Sequence, residues 1–280
     1  DEMKNWKLAP KSESVAKYVE CYWFLEKEPD DHGNLYPKLN PDPAAHLIIA
    51  SDNEVHQYDH SGTRQVVQGC HWIFPHLKTL TMDHSDPFKI IGIKFRVGAL
   101  YSLNLPDLMS ILDKVEPVDI RWMFGSHLGS AEQLVDSAFE QRDSLCATLD
   151  DALSVYLSKA LEDKHSELVR NILPILSDTP IAEIGEKLHR SQRTIERAFT
   201  RVTGLTMKQV HSMVRLEDML NYLYELNDEE LNWADIASKY EFSDQPHLIR
   251  HLKNSIGNTP AAYAQQRDLT IDVYGNFELN

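Results

Sequence analysis

The sequence predicts an α+β protein with a β-rich first half, helices that follow it, and an all-helical second half. Short apolar runs separated by turn residues fill positions 15 to 97, and Lys89–Val97 (KIIGIKFRV) is the strongest of them. From about residue 98 the apolar residues recur at steps of three and four, the period of a helix. The length of 280 residues suits two domains, which we place at 1–165 and 166–280.

The charge of the chain limits the nucleic-acid contacts that it could make. The net charge is −15. Residues 1–165 contain 16 Lys and Arg against 26 Asp and Glu, and residues 166–280 contain 12 against 17, so both parts are acidic. A broadly acidic chain repels phosphate, which argues against non-specific nucleic-acid binding. Any DNA contact is therefore expected to be a local basic patch.

Cysteine usage and hydropathy predict a cytoplasmic protein. Cys21, Cys70 and Cys146 are odd in number and far apart, which is typical of a reducing compartment with no disulfide framework. The sequence shows no secretory signal and no apolar run approaching 18 residues, so we expect no membrane-spanning segment and no membrane partner.

The first half is expected to be a β-sandwich or barrel with helices after it. Its first strand is predicted at 15–25, where aromatic and apolar residues partly alternate. Further strands are predicted at His46–Ala50, Glu54–Tyr58, Arg64–Gln68, His71–Phe74, Leu77–Met82 and Lys89–Val97. Helices are predicted at Asp107–Leu112, Gln133–Phe139 and Ser144–Leu161.

No specific catalytic or metal-binding pattern occurs in the first half. Seven histidines lie between positions 32 and 84. None has neighbours at convincing ligand spacing, so we expect solvated or hydrogen-bonded histidines and no metal site. Neither a glycine-rich phosphate loop nor G-x-S-x-G is present, and we expect no cofactor. Four aromatic residues could line a small-molecule cavity or simply belong to the core: Trp23, Tyr36, Trp72 and Phe95.

The second half contains a regular series of helical signals with defined ends. Thr179, Thr206 and Asn232 stand where N-caps are expected, and Pro180 suits the first position of a helix. Asn227–Glu230 is a polar break. The predicted helices are Ser166–Leu176, Ile181–Leu188, Ser191–Val202, Met207–Leu226, Trp233–Tyr240, Gln245–Ser255 and a last one from Thr259-Pro260 to about Arg267.

The segment Ser191–Val202 (SQRTIERAFTRV) gives the clearest functional signal. Ser191 suits an N-cap and Gly204 suits a left-handed helix end. Ile195, Ala198, Phe199 and Val202 gather on one side, which can enter a core. At about 100° per residue, four arginines fall within an arc of about 80° on the other side: Arg190, Arg193, Arg197 and Arg201. Such a helix is a candidate for the DNA major groove, although a solvated surface helix would show the same stripe.

This helix belongs to a larger pattern in which two helix-turn-helix units flank one long helix. The first unit carries Ser191, Arg193, Ile195, Arg197, Phe199, Gly204 and Arg215-Leu216. The second carries Ile236-Ala237, the run from Phe242 to His247, Arg250, Lys253, Gly257, Thr259-Pro260 and Tyr263. In these residues, positions 166–267 closely resemble the DNA-binding domain of the AraC family of bacterial-type transcription regulators. The first half more distantly resembles the cupin-like regulatory domains of that family.

The resemblance implies that double-stranded DNA is a partner. The second helix of each unit, here called the reader helix, would enter the major groove by its N-terminal residues. In the first unit the matching positions are Arg193, Glu196 and Arg197, where Arg suits guanine and Glu can accept from cytosine. Arg201 lies later on the same stripe and is expected to meet phosphate.

In the second unit the matching positions are Gln245, His247 and Arg250. Gln suits adenine and Arg suits guanine. Lys253 or His251 is expected to reach the DNA backbone.

Three positions depart from the pattern of the family. Glu241 stands where a glycine usually ends the helix, and a left-handed conformation there would cost about 1 kcal/mol. Gly185 replaces a usual alanine and is expected to weaken its helix by roughly 0.5–1 kcal/mol. Leu252 occupies a position where phenylalanine is common. None of these changes removes a reader side chain.

The resemblance favours a ligand-responsive transcription regulator and not an enzyme. Residues 1–165 would then sense a small-molecule effector or form a homodimer, without touching bases. Control by a protein partner is an alternative. A different class is an enzyme active in the amino-terminal barrel, with the helical domain as an accessory. That class would need assembled metal ligands or a carboxylate pair, and the sequence shows neither.

Overall fold

The computed structural model describes residues 3–33, 35–105, 108–226 and 231–256. It confirms the α+β class, because the first half is rich in strands and the second half is helical. Gly257, Tyr263 and the predicted helix from Thr259 to Arg267 lie outside the described residues, as does the predicted break at Asn227–Glu230. The domain boundary at residue 165 stays a prediction. Among the described residues, no helix is both long and apolar enough to cross a membrane.

Two antiparallel sheets form the first half. Their strands are β1 (Lys4–Leu8), β2 (Val19–Lys27), β3 (Lys38–Leu39), β4 (His46–Ile49), β5 (Val55–His60), β6 (Thr63–Gln68), β7 (His71–Ile73), β8 (Leu80–Met82), β9 (Phe88–Phe95) and β10 (Val115–Pro117). Within the described residues the larger sheet runs β1-β2-β9-β4-β7-β10 and the smaller runs β3-β8-β5-β6. Ser61 and Gly62 both have positive φ, as a tight turn between β5 and β6 requires.

The larger sheet is buried on both faces, which explains the almost continuous apolar sequences of β2 and β9. Trp23 and Ile48 point towards the smaller sheet and pack in one cluster with its Tyr58. Tyr22 and Ile93 point to the other side, where helices cover the sheet. Alternate residues of one strand therefore stabilise two different cores.

The helices of the first half are α1 (Glu13–Ala16), α2 (Ala99–Ser102), α3 (Leu108–Ile111), α4 (Arg121–Phe124), α5 (Ala131–Ser137) and α6 (Arg142–Leu157). The longest, α6, buries Leu145, Leu149 and Leu153 against the larger sheet. Its Asp150 accepts a hydrogen bond of 2.6 Å from the Tyr22 hydroxyl. Asp150 thereby joins α6 to the centre of β2.

The prediction of a first strand at 15–25 is wrong in its start. A strand, β1, already precedes it, Glu13–Ala16 forms a helical turn, and β2 begins at Val19. The Asp150 carboxylate accepts from the backbone N–H groups of Lys11 and Ser12, each at 2.9 Å, and holds this turn against α6.

The strand predicted at Leu77–Met82 begins only at Leu80. The Leu77 N–H donates instead to the Asp113 carboxylate at 2.7 Å.

The second half consists of α7 (Lys164–Ile172), α8 (Ile184–Lys187), α9 (Gln192–Thr203), α10 (Met207–Glu225), α11 (Trp233–Lys239) and α12 (Gln245–Ile256). Pro174 lies in a 3₁₀ turn after α7, and a second 3₁₀ turn, Ile181–Glu183, precedes α8. One core joins α7, α8, α9 and the start of α10, and another joins the later part of α10 with α11 and α12. Each unit therefore has its own core, and α10 contributes to both.

Most of the predicted caps are confirmed. The side chain of Ser191 accepts from Thr194 N–H, that of Thr206 from Gln209 N–H, and that of Asn232 from Ala234 and Asp235 N–H. The cap predicted at Thr179 is wrong. Pro180 occupies the N-cap position of its 3₁₀ turn, and no side chain accepts a capping bond there.

Candidate DNA-binding interface

The turns of the two helix-turn-helix units have the same backbone geometry. In the first, His189 has a φ of 56°, and the Arg190 N–H donates to the Gly185 carbonyl at 2.8 Å. In the second, Glu241 has a φ of 62°, and the N–H of the next residue donates to the Ala237 carbonyl at 2.8 Å. This bond closes the end of the preceding helix around a left-handed residue. Glu241 therefore adopts the left-handed conformation, in which a residue other than glycine costs about 1 kcal/mol.

Close packing, which the sequence did not reveal, explains why residue 185 is a glycine. A Cβ atom at this position would lie 2.8 Å from the Arg190 carbonyl oxygen and 3.1 Å from the Gln192 nitrogen. Alanine would therefore push against the backbone of the turn. Glycine lets the turn approach α8 closely, and its expected cost to the stability of this helix stays a prediction.

The reader helix α9 separates its apolar and polar faces as predicted. Ile195 and Phe199 are completely buried in the core of the first unit. The predicted contact residues Arg193, Glu196 and Arg197 are exposed, and so is Arg201. Ser191 caps the start of α9, and Gly204 ends it with a φ of 73°. The N-terminal half of α9 therefore presents guanidinium groups to solvent from a rigid, capped helix.

The second reader helix, α12, is anchored in the same manner by Leu248 and Leu252, both fully buried. Its predicted contact residues Gln245, Arg250 and Lys253 are exposed. His247 is half-buried, with Nδ1 3.2 Å from the Ser243 nitrogen that donates to it. Its ring meets Phe242 edge-on at 5.2 Å between centroids. The Ser243 hydrogen bond and the Phe242 contact orient the His247 ring, and within the described residues Nε2 forms no hydrogen bond.

One predicted contact residue of each reader helix lies at the same distance from the N-cap of its helix. The Asp244 carboxylate accepts from the His247 N–H at 2.8 Å, so Asp244 caps α12 as Ser191 caps α9. Counted from these caps, Arg197 and Arg250 both lie at the sixth position. Each arginine therefore occupies the same place on the exposed face of its helix.

The first half of the chain contacts the far ends of both reader helices, which the sequence did not predict. Arg201 Nε donates to the Tyr101 hydroxyl at 3.5 Å, and that hydroxyl donates to Asp163. The Thr79 hydroxyl donates to the carbonyl of Ser255, at the end of α12. These contacts join residues far apart in sequence, so no local pattern could have shown them.

A cavity of about 510 Å³ lies between the two halves. Residues after β9, from Val97 to Ala99, form one wall, and α7, α9 and α10 form the other. A Cβ on Gly98 would lie 3.0 Å from Val202 of α9, which shows how closely the wall approaches the reader helix. Its apolar lining includes Val169, Val202, Val210 and Val214. Material in this cavity would touch the buried side of α9.

Charged side chains line one end of the cavity. Lys94 Nζ lies 3.0 Å from Glu20 Oε2, and both Asp42 and Glu217 line the same end. Burial opposes protonation of Lys94, but the nearby carboxylates raise its pKa above its usual value. Burial raises the pKa of Glu217 to about 7; Lys94 opposes the rise, and Asp42 and Glu20 add to it. Glu217 comes from α10, so charged side chains of both halves meet at this end of the cavity.

The aromatic residues proposed as a cavity lining separate in the structure. Phe95 lines the cavity between the halves, whereas Trp23 and Trp72 are buried in the cores of the first half and Tyr36 is exposed. A Cβ on Gly92 would overlap the Trp23 ring, so this indole fills the space between the sheets. In the part of the chain that the structure describes, no group of three His, Cys, Asp or Glu side chains is placed to hold a metal ion.

Two helix-turn-helix units around one long helix, each with an exposed and rigidly held reader helix, define a DNA-binding transcription regulator. Residues 184–266 match the family model described as a helix-turn-helix domain. This part of the chain is a DNA-binding domain of the AraC type.

The other comparisons concern the first half and the overall fold. Residues 7–116 match a domain of unknown function, DUF6597. The comparison with curated proteins gives no match. Similar solved structures include ToxT from Vibrio cholerae O395, with 10% identity, a TM-score of 0.45, and coverage of 96% of this chain and 98% of that one. The structure of ToxT from Vibrio cholerae strain SCE256 with bound unsaturated fatty acid has 11% identity and a TM-score of 0.43, and the match covers 94% of each chain. The AraC-like transcriptional activator CuxR has 11% identity and a TM-score of 0.27, and the match covers 76% of this chain and 86% of that one.

Proposed function

We propose that the protein recognises a specific DNA sequence through both reader helices and regulates transcription from that site. Arg193, Glu196 and Arg197 would contact bases from α9, and Arg201 would contact phosphate. Gln245, His247 and Arg250 would contact bases from α12, with Lys253 at the backbone. The observation that carries the proposal is the pair of arginines, Arg197 and Arg250, at the same place after two equivalent caps.

We further propose that the first half controls DNA binding and is not an enzyme. The cavity between the halves is large enough for a small molecule and lies against the buried side of α9. A small-molecule effector there would favour one arrangement of the halves over another by the difference between its two affinities.

Assembly as a homodimer in the cytoplasm is part of the same proposal. A chain with a net charge of −15 is repelled by DNA outside its basic patch. Two linked chains would place four reader helices on one site, and the resulting effective concentration would offset the weak binding of one chain.

The test of base reading compares Arg197→Ala and Arg250→Ala with the full-length wild type. The DNA is a site that the wild type selects from a random duplex library. Each change is expected to weaken binding to that site by roughly 1–3 kcal/mol and to relax preference at one base position. Arg142→Ala is the control, since Arg142 is an exposed arginine of α6. Equal losses on the selected site and on random DNA would refute base reading by these arginines.

A further inference from the structure

A surface groove of about 910 Å³ runs between α7 and the reader helix α9. The α9 wall includes Arg193, Arg197 and Arg201, and the α7 wall includes Lys164 and Glu167. The groove therefore continues the exposed face of α9 onto a neighbouring helix on which the sequence predicts no DNA-contacting residue.

The groove is basic although the chain is acidic. Five Lys or Arg residues line it against two Glu residues, whereas the whole chain has a net charge of −15. Lys164 is exposed and forms no ion pair with any residue in the described ranges. Its ammonium group is thus available to an anion from solvent.

The dimensions of B-DNA place a phosphate backbone over this groove. The major groove is about 12 Å wide, and packed helices lie about 8–10 Å apart between axes. With α9 in the centre of the major groove, α7 lies over one of its walls, which is a sugar-phosphate strand. The first N–H groups of α7 are already bonded, because Asp163 accepts from His165 and Ser166. Attraction of phosphate to this end of α7 must therefore come from a side chain.

We propose that Lys164 binds a DNA phosphate, so that the DNA contact of the first unit extends from the reader helix to α7. This inference rests on the proposed function, since it requires α9 in the major groove. Glu167 lies on the same wall of the groove and repels the same strand. The two residues should thus have opposite effects on affinity, and neither should affect base preference.

The test measures the affinity of full-length variants for a duplex of about 30 base pairs that contains the selected site, by fluorescence anisotropy at several salt concentrations. Lys164→Gln should bind roughly tenfold more weakly at about 50 mM salt and roughly two- to threefold more weakly at about 200 mM. The slope of log affinity against log salt should fall by about one. Glu167→Gln should bind more tightly than wild type at every salt concentration.

Lys159→Gln is the matched control, because Lys159 is an exposed lysine just after α6 and does not line the groove. It should leave affinity and slope unchanged. If Lys164→Gln keeps the wild-type slope while Arg197→Ala still reduces specific binding, the phosphate contact is refuted and the proposed function stands. If the wild type binds no DNA, both are refuted.

Discussion

Glu162 joins the two halves of the chain, and replacing it with glutamine is expected to lower the free energy of unfolding. Its carboxylate accepts hydrogen bonds from the Tyr18 hydroxyl at 2.5 Å, the Ser166 hydroxyl at 2.8 Å and Arg170 Nη1 at 2.9 Å. Burial opposes ionisation, but the hydrogen bonds from Arg170, Tyr18 and Ser166 outweigh it and lower the pKa of Glu162 to about 2. The folded state thus stabilises the ionised carboxylate of Glu162.

The size of the effect follows from this pKa. The difference between 4.5 and about 2 corresponds to about 3.4 kcal/mol at neutral pH. The Glu162 side chain is 29% exposed, so screening by solvent reduces the effect. We expect Glu162→Gln to lower the free energy of unfolding by about 1.5–3 kcal/mol at pH near 7.

The pH dependence distinguishes this effect from a simple packing defect. Because the folded pKa lies below the unfolded one, the stabilisation is complete above about 4.5 and is lost as the pH falls towards 2. Urea denaturation of wild type and Glu162→Gln should therefore show a large difference at neutral pH that shrinks in acid. Asp151→Asn, which changes an exposed carboxylate on α6, is the control. A deficit that is the same in acid as at neutral pH would refute the argument.

Two further predictions concern Glu217, at the cavity between the two halves, and Arg201 of the reader helix α9. Glu217→Gln should stabilise the protein above pH 7 and change little near pH 4.5, because the raised pKa means that ionisation of Glu217 destabilises the folded state as pH rises. Urea denaturation at both ends of this range measures the effect, and a stabilisation confined to low pH would contradict it. Arg201→Ala should reduce affinity for specific and random DNA by the same factor, since phosphate contacts carry little sequence information. Anisotropy with both duplexes checks this, and a larger loss on the specific site would contradict it.

The features that the sequence predicts well are local. The cap at Ser191, the left-handed end at Gly204 and the buried face of Ile195 and Phe199 all depend on residues within one or two turns of each other. The strongest strand, β9, was also predictable, because both of its faces are buried and its sequence is almost continuously apolar. Local propensity and tertiary packing agree at these positions.

The features that the sequence could not predict depend on contacts between distant residues. Asp150 determines how the chain enters β2, although more than 130 positions separate it from Lys11 and Ser12. Tyr101 meets Arg201 in the same way, across 100 positions. The cavity between the halves is a product of such packing, so aromatic residues chosen by type alone indicated it only through Phe95.

Footprinting of the full-length protein on its selected site shows whether one chain reads DNA with both helices. Protection of guanine N7 from methylation reports contacts in the major groove, where guanine presents that atom. We expect two protected segments on one face of the duplex, with centres about 34 Å or about 10 base pairs apart. A homodimer would repeat this pair. A single protected segment per chain, or two segments on opposite faces of the DNA, would show that one chain does not read DNA with both helices in this way.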